Sequence, residues 1–150
     1  MPKTTETVLE IDLTALGKNY HYLKSRIKDT TKLLGVVKAF AYGSDAVIIA
    51  KELEALGVDY LAVAYVNEGV ILRDVGIKTP ILVLHPQPEN FETLIDRCLE
   101  PSLYNESVLK QFIKIASEKK QLNYPVHLKF NTGLNRLGFN EAEVDKIISE

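Results

Sequence analysis

Five short apolar stretches, each followed by a helical pattern, dominate the chain. Lys32–Ala39, Tyr60–Ala64, Pro80–Leu84, Glu100–Tyr104 and Val126–Phe130 are β-prone segments of strand length bounded by turn residues, and they predict buried strands. Between them, apolar residues return at steps of three and four, as in Ala46, Ile49, Ala50, Leu53 and Leu56. That spacing predicts helices over 45–56, 67–75, 89–98 and 107–118, with a fifth beginning at Glu141. Gly57 and Gly76 supply stop signals. Ahead of the first unit, Val8–Leu13 alternates like a strand, and Leu13, Leu16, Tyr20, Leu23 and Ile27 mark one face of a helix that Asp12 or Thr14 caps.

Apolar strands alternating with amphipathic helices imply an α/β fold, a parallel sheet covered by helices. Two architectures share this order. Five βα units make an open doubly wound sheet, complete in itself. They are equally the first five units of an eight-stranded TIM (β/α)8 barrel, which typically needs about 250 residues. Element order does not separate the two; only the site residues do.

Composition narrows the function classes. With 150 residues, 46% hydrophobic and 25% charged, the chain suits one globular domain. Its 18 Lys and Arg are nearly matched by 20 Asp and Glu, for a net charge of −2, which argues against a nucleic-acid partner. Cys98 is the only cysteine, so an internal disulfide and a thiolate zinc cluster are excluded. No spacing of Cys, His, Asp and Glu predicts a metal site. The polar opening carries no signal-peptide pattern, and no apolar run approaches the roughly 18 residues of a membrane span. A cytoplasmic protein without a membrane partner is expected. Of the histidines, His21 is expected in solvent, His85 at a turn before Pro86, and His127 packed between sheet and helices.

The candidate chemistry lies in the first strand-to-helix loop, at the strand end where ligands gather in both architectures. Val36-Val37-Lys38-Ala39-Phe40-Ala41-Tyr42-Gly43-Ser44 places a lysine at the end of an apolar strand. An amine in such a setting is a candidate Schiff-base nucleophile. The bland reading, a lysine whose stem simply carries its charge out to water, has about equal weight on physical grounds alone. Tyr42 adds a hydroxyl four residues on, Gly43 permits a close turn, and the next helix start offers N–H groups suited to a phosphate.

Val37–Gly43 resembles the cofactor-lysine motif of alanine racemases, and the likeness continues along the chain. Leu9–Leu13 with Ala15, Leu16 and Asn19 matches the family's opening; Tyr60–Ala64, Glu68-Gly69, Leu72-Arg73, Gly76-Ile77 and Pro80–Leu84 follow in order. His127-Leu-Lys129-Phe-Asn131-Thr-Gly-Leu-Asn-Arg136-Leu-Gly-Phe139 is similar to the family's second signature. The resemblance implies the N-terminal part of a pyridoxal-phosphate barrel, the first five βα units preceded by a strand and helix. It implies that Lys38 carries pyridoxal 5′-phosphate and acts as base on one face of the substrate carbon. It further implies that Tyr42 holds the cofactor phosphate, that Arg136 lies near the ring and binds the substrate carboxylate, and that Lys129 is carbamylated and orients Arg136. The implied reaction interconverts L- and D-alanine for peptidoglycan in a homodimer. The rest of the barrel and the C-terminal β domain with the second catalytic tyrosine are expected beyond Glu150, so the chain alone is expected to be inactive.

Several positions depart from the family pattern. Phe40 stands where Asp or Asn is common, Ser44-Asp45 where His-Gly is common, and Asn131 where Asp is usual. Phe40 and Ser44 resemble the choices of a subgroup fused to a cell-wall peptide ligase, although no ligase sequence is present. Asp45 adds an anion near the expected phosphate, and Asn131 removes a charge beside Lys129 and Arg136. Two other readings compete: a non-catalytic pyridoxal-phosphate-binding barrel protein, and a stand-alone five-stranded binding module of flavodoxin type.

Overall fold

In the computed structural model, residues 7–148 are described. The first helix, α1 (Leu13–Lys24), starts where the Asp12 side chain accepts the Ala15 N–H at 2.9 Å, as its N-cap position predicts. The strand expected over 8–13 does not form. Residues 7–12 have no regular structure, and Val8 and Leu9 lie in solvent. Alternation alone does not make a strand: the backbone groups of such a segment need a neighbouring strand to pair with.

From there the predicted alternation holds. Strand β1 (Leu34–Val36) leads into α2 (Lys38–Gly43), a short left-handed coil described below, and α3 (Ala46–Ala55). Then come β2 (Tyr60–Val63), α4 (Val66–Asp74), β3 (Ile81–Val83), α5 (Phe91–Asp96) and β4 (Glu100–Leu103). The long α6 (Glu106–Glu118), β5 (His127–Leu128) and α7 (Val144–Ile148) complete the described residues.

All four strand pairings are parallel, and the order in the sheet is β1-β2-β3-β4-β5. This order decides between the two architectures that the sequence left open. A doubly wound sheet reverses its strand order at a switch point and carries helices on both faces. Strict succession with right-handed crossovers winds every helix onto one face, the arrangement of a growing barrel.

The register fixes which side chains share a face. Leu61, Val63, Ile81 and Val83 are at most 1% exposed and pack under the helices. Gly35 belongs to that face too, because a Cβ there would lie 2.8 Å from the Leu53 side chain of α3. Val36, Ala62, Leu82 and Glu100 align across the sheet on the opposite, concave face. Here His127 departs from expectation. It shares the concave face with Ser102 and meets Glu100, its Nε2 2.7 Å from the carboxylate, while Tyr60 donates to the same carboxylate at 3.2 Å. A carboxylate inside the sheet's curve draws the imidazole inward, away from the helix layer.

At the N-terminal ends of the strands, side chains staple successive repeats. Asp59 accepts the Leu33 N–H at 2.7 Å, and Glu54 accepts the backbone N–H groups of Lys78 and Thr79, each at 2.7 Å. Arg73, in the last turn of α4, donates to four carbonyls: Ile77 at 2.9 Å, Thr79 at 2.8 Å, Cys98 at 3.0 Å and Arg97 at 3.2 Å. Among the described residues no helix is long and apolar enough to cross a membrane.

Candidate active site

Lys38 follows β1 at the C-terminal rim of the sheet. Leu34 and Val36 face the concave side, whereas Val37, 1% exposed, points under the helices; the chain leaves the extended form at Val37, and Lys38 follows at the rim. The lysine is half-buried, and among the described residues no carboxylate pairs with it. Its ammonium lies over the Tyr42 ring, 5.9 Å from the centroid.

The backbone that joins these two residues is unusual. Ala39, Phe40, Ala41 and Tyr42 have φ between 50° and 58° and ψ between 40° and 54°, a left-handed helical turn built of L-residues. Each such residue costs roughly 1–2 kcal/mol relative to the right-handed form. Gly43, at φ +92°, closes the run without that penalty. One turn of helix of either hand brings positions four apart onto one side, which is how Tyr42 comes to lie beneath Lys38. Two hydrogen bonds brace the turn: the Ala41 N–H donates to Val37 O at 3.0 Å, and the Ala39 N–H donates to Glu68 Oε1 at 2.8 Å.

Nothing in the sequence announced the left-handed form, since none of the four residues is glycine. The role of Glu68 was equally hidden. It sits in the first turn of α4, where an acidic side chain is common, and its other oxygen accepts the Ala64 N–H at 2.6 Å and the Tyr65 N–H at 3.2 Å. Only the fold brings Ala39 to it, from 29 residues away.

The α3 N-terminus does not supply the expected free N–H groups in full. Asp45 caps it, accepting the Ile48 N–H at 2.9 Å. Tyr42, whose hydroxyl is the other donor expected of this turn, is 70% exposed. Behind the turn, on the helix side, Phe40, Asp45, Asn67 and Glu68 border a cleft of about 290 Å³.

The second motif forms a closed loop. Lys129 donates its N–H to Leu103 O at 2.9 Å and accepts the Phe139 N–H at 2.8 Å, while the Asn131 N–H donates to Phe139 O at 2.8 Å. The Asn131 side chain organises the interior, accepting the N–H groups of Gly133 at 3.2 Å and Asn135 at 3.0 Å and donating to Asn135 Oδ1 at 2.8 Å. An amide thus accepts as the usual carboxylate would. Lys129 shares the parity of His127 and lies half-buried toward the concave face. Arg136 is exposed on the loop and, among the described residues, has no hydrogen-bond partner. The structure thus sets Lys38 over Tyr42 directly, but makes no contact between that pair and Lys129 or Arg136.

His85, at the end of β3, stacks on Tyr104 with centroids 5.3 Å apart and meets Tyr65 edge-on at 5.8 Å. Its buried Nδ1 has no hydrogen-bond partner among the described residues. Burial raises the pKa of the Tyr104 hydroxyl above its ordinary value. Among the described residues no three His, Cys, Asp or Glu side chains cluster as metal ligands would.

Comparison with known proteins agrees with this geometry. The model of the alanine racemase N-terminal domain matches residues 11–150. The alanine racemase 2 of Oceanobacillus iheyensis is 39% identical over 139 residues, which span 92% of this chain and 35% of that protein. The alanine racemase of Sorangium cellulosum is 34% identical over 149 residues, 95% of this chain and 39% of that protein. Among solved structures, alanine racemase from Clostridium difficile 630 superposes with a TM-score of 0.86 at 38% identity, over 91% of this chain and 36% of the other. The Bacillus anthracis enzyme with bound L-Ala-P gives 0.88 at 30% identity, over 99% of this chain and 39% of the other. The chain thus spans little more than a third of the length of these relatives. A consecutive parallel sheet, a lysine at the end of its first strand and these matches agree: the chain belongs to the alanine racemase N-terminal domain family.

Proposed function

We propose that the chain provides the cofactor-lysine portion of a pyridoxal-phosphate-dependent alanine racemase. The observation that carries this reading is Lys38 itself: a half-buried amine without a carboxylate partner among the described residues, at the C-terminal rim of the sheet, over the ring of Tyr42. The donor set fits the cofactor's chemistry, since an amine meets an aldehyde, a phenol hydroxyl meets a phosphate, and a guanidinium fork meets a carboxylate.

When bound, pyridoxal phosphate supplies an electron sink that lets the Cα proton of an amino acid leave. The protein's part is to hold and move protons around that carbon. In this reading the Nζ of Lys38 anchors the cofactor and then takes or returns the proton on one face. The Tyr42 hydroxyl donates to the phosphate. Arg136 binds the substrate carboxylate, and Lys129, carbamylated, presents an anion that orients the guanidinium. Racemisation needs a second group on the opposite face, and the proposal assigns it to the partner subunit of a homodimer. The product would serve peptidoglycan synthesis in the cytoplasm. The match of residues 11–150 to the racemase domain favours this reading over a non-catalytic cofactor-binding barrel.

The test is spectroscopic. The full chain mixed with pyridoxal phosphate is expected to develop the visible band of a lysine-bound cofactor, and Lys38→Ala is expected to abolish it. With the downstream region supplied, L-alanine should then yield D-alanine. A band of equal strength in Lys38→Ala would remove Lys38 from its role.

A further inference from the structure

The left-handed turn that carries Lys38 is fastened from outside its own repeat. Glu68 Oε2 accepts the N–H groups of Ala64 and Tyr65, and capping α4 accounts for those contacts. Capping does not account for Oε1, which accepts the Ala39 N–H at 2.8 Å across a separation of 29 residues. That N–H belongs to the peptide directly after Lys38. Its direction fixes the plane of the Lys38–Ala39 peptide, and with it the way Lys38 leaves the backbone.

We propose that Glu68 is the positioning residue for Lys38: by tying the Lys38–Ala39 peptide to the end of β2, it holds the ε-amine over Tyr42 at the C-terminal rim of the sheet. The inference rests on Lys38 being the cofactor lysine. A carboxylate suits the task because both oxygens accept N–H bonds. A glutamine presents one oxygen and one NH₂, so it keeps the α4 cap or the Ala39 bond but loses the other. Alanine loses both.

Reductive labelling of the full chain tests this. A lysine amine displaces the aldehyde oxygen of pyridoxal phosphate as water; borohydride then adds hydride to the C=N carbon and solvent protonates the nitrogen. The resulting secondary amine survives digestion, and peptide mass spectrometry gives the labelling rate at each lysine. The exposed Lys18 and Lys51 serve as internal standards. In the parent chain, Lys38 is expected to label fastest. Glu68→Gln is expected to slow Lys38 about tenfold relative to the standards, the effect of losing one charge-assisted hydrogen bond. It is also expected to speed hydrogen exchange at the Ala39 amide. Arg73→Lys, which weakens the fold at the opposite rim, should leave the Lys38 rate ratio unchanged. Loss of the ratio in Arg73→Lys as well would reduce Glu68 to a stability effect and overturn the proposal. A parent chain that does not favour Lys38 would sink the cofactor-lysine reading and this inference with it. A selective parent with an equally selective Glu68→Gln would sink the inference alone. If both Glu68→Gln and Glu68→Ala fail to fold, Glu68 is a folding determinant and the proposal falls.

Discussion

Replacing Arg73 should cost stability out of proportion to its place near the surface. Its guanidinium meets four backbone carbonyls drawn from two loops, Ile77 and Thr79 before β3 and Arg97 and Cys98 before β4. Burial lowers its pKa from the ordinary arginine value, although it remains a cation at every accessible pH. A hydrogen bond to a charged group contributes about 1.5–3 kcal/mol, and partial exposure lets some carbonyls recover water, so Arg73→Met is expected to lose about 3–4 kcal/mol. For a chain of this size each kcal/mol moves Tm by about 2–4 °C, which puts the shift at roughly 6–16 °C. Arg73→Lys separates charge from shape. An ammonium retains the charge but reaches about half of the carbonyls, so the lysine variant should fall midway. The assay is urea unfolding followed by far-UV circular dichroism, with thermal melts alongside. A loss below about 1 kcal/mol in Arg73→Met would refute the reasoning, for it would mean that the four carbonyls are as well served by water. Equal stability of the lysine variant and the parent would refute the argument from geometry.

Other consequences are open to measurement. Gly138 sits at φ +127°, and a Cβ there would lie 2.5 Å from Asn131 N, so Gly138→Ala is expected to cost about 2 kcal/mol or more and to open the loop that carries Arg136. Limited proteolysis between 131 and 139 reads this directly; an unchanged digestion pattern would contradict it. Hydrogen bonds from Lys110 and Lys146 lower the Glu106 carboxyl to about 2. Because its folded pKa is depressed, its contribution is present above the ordinary carboxylate range and is lost as pH falls toward 2. The Lys146–Glu106 pair joins α7 to α6, so hydrogen exchange over 141–148 should accelerate as pH falls through that window, after correction for the intrinsic rate. Glu106→Gln should remove this acid response; a response that persists would place its origin elsewhere.

Much of the fold could be read from residue order, because strand and helix periods differ and each apolar stretch lies between helix stops. Asp12 caps the helix it is expected to precede. Lys38 stands at the predicted strand end. What was not legible depends on distance along the chain or on backbone hand. Alternation separates the two faces of a strand without saying which face curves inward, so the pattern alone puts His127 on the helix side, whereas in the fold it stands beside Glu100 on the concave one. Val8–Leu13 alternates yet, among the described residues, pairs with no strand. Alanine, phenylalanine and tyrosine give no sign of a left-handed turn. Arg73 and Glu68 match the family pattern, but the four carbonyls that Arg73 meets and the Ala39 amide that Glu68 accepts come into view only in the fold.

The strict succession of strands has a consequence for how the molecule tolerates change. Every repeat sends one connection to each end of the sheet, and the two ends do different work. Glu54, Asp59 and Arg73 secure one pole, whereas Lys38, Tyr42 and Glu68 gather at the other. Variation at the first pole should register in melting behaviour while leaving reactivity intact, and variation at the second should do the reverse. A mutational map of this chain would then divide by latitude, with the sheet's midline as its equator.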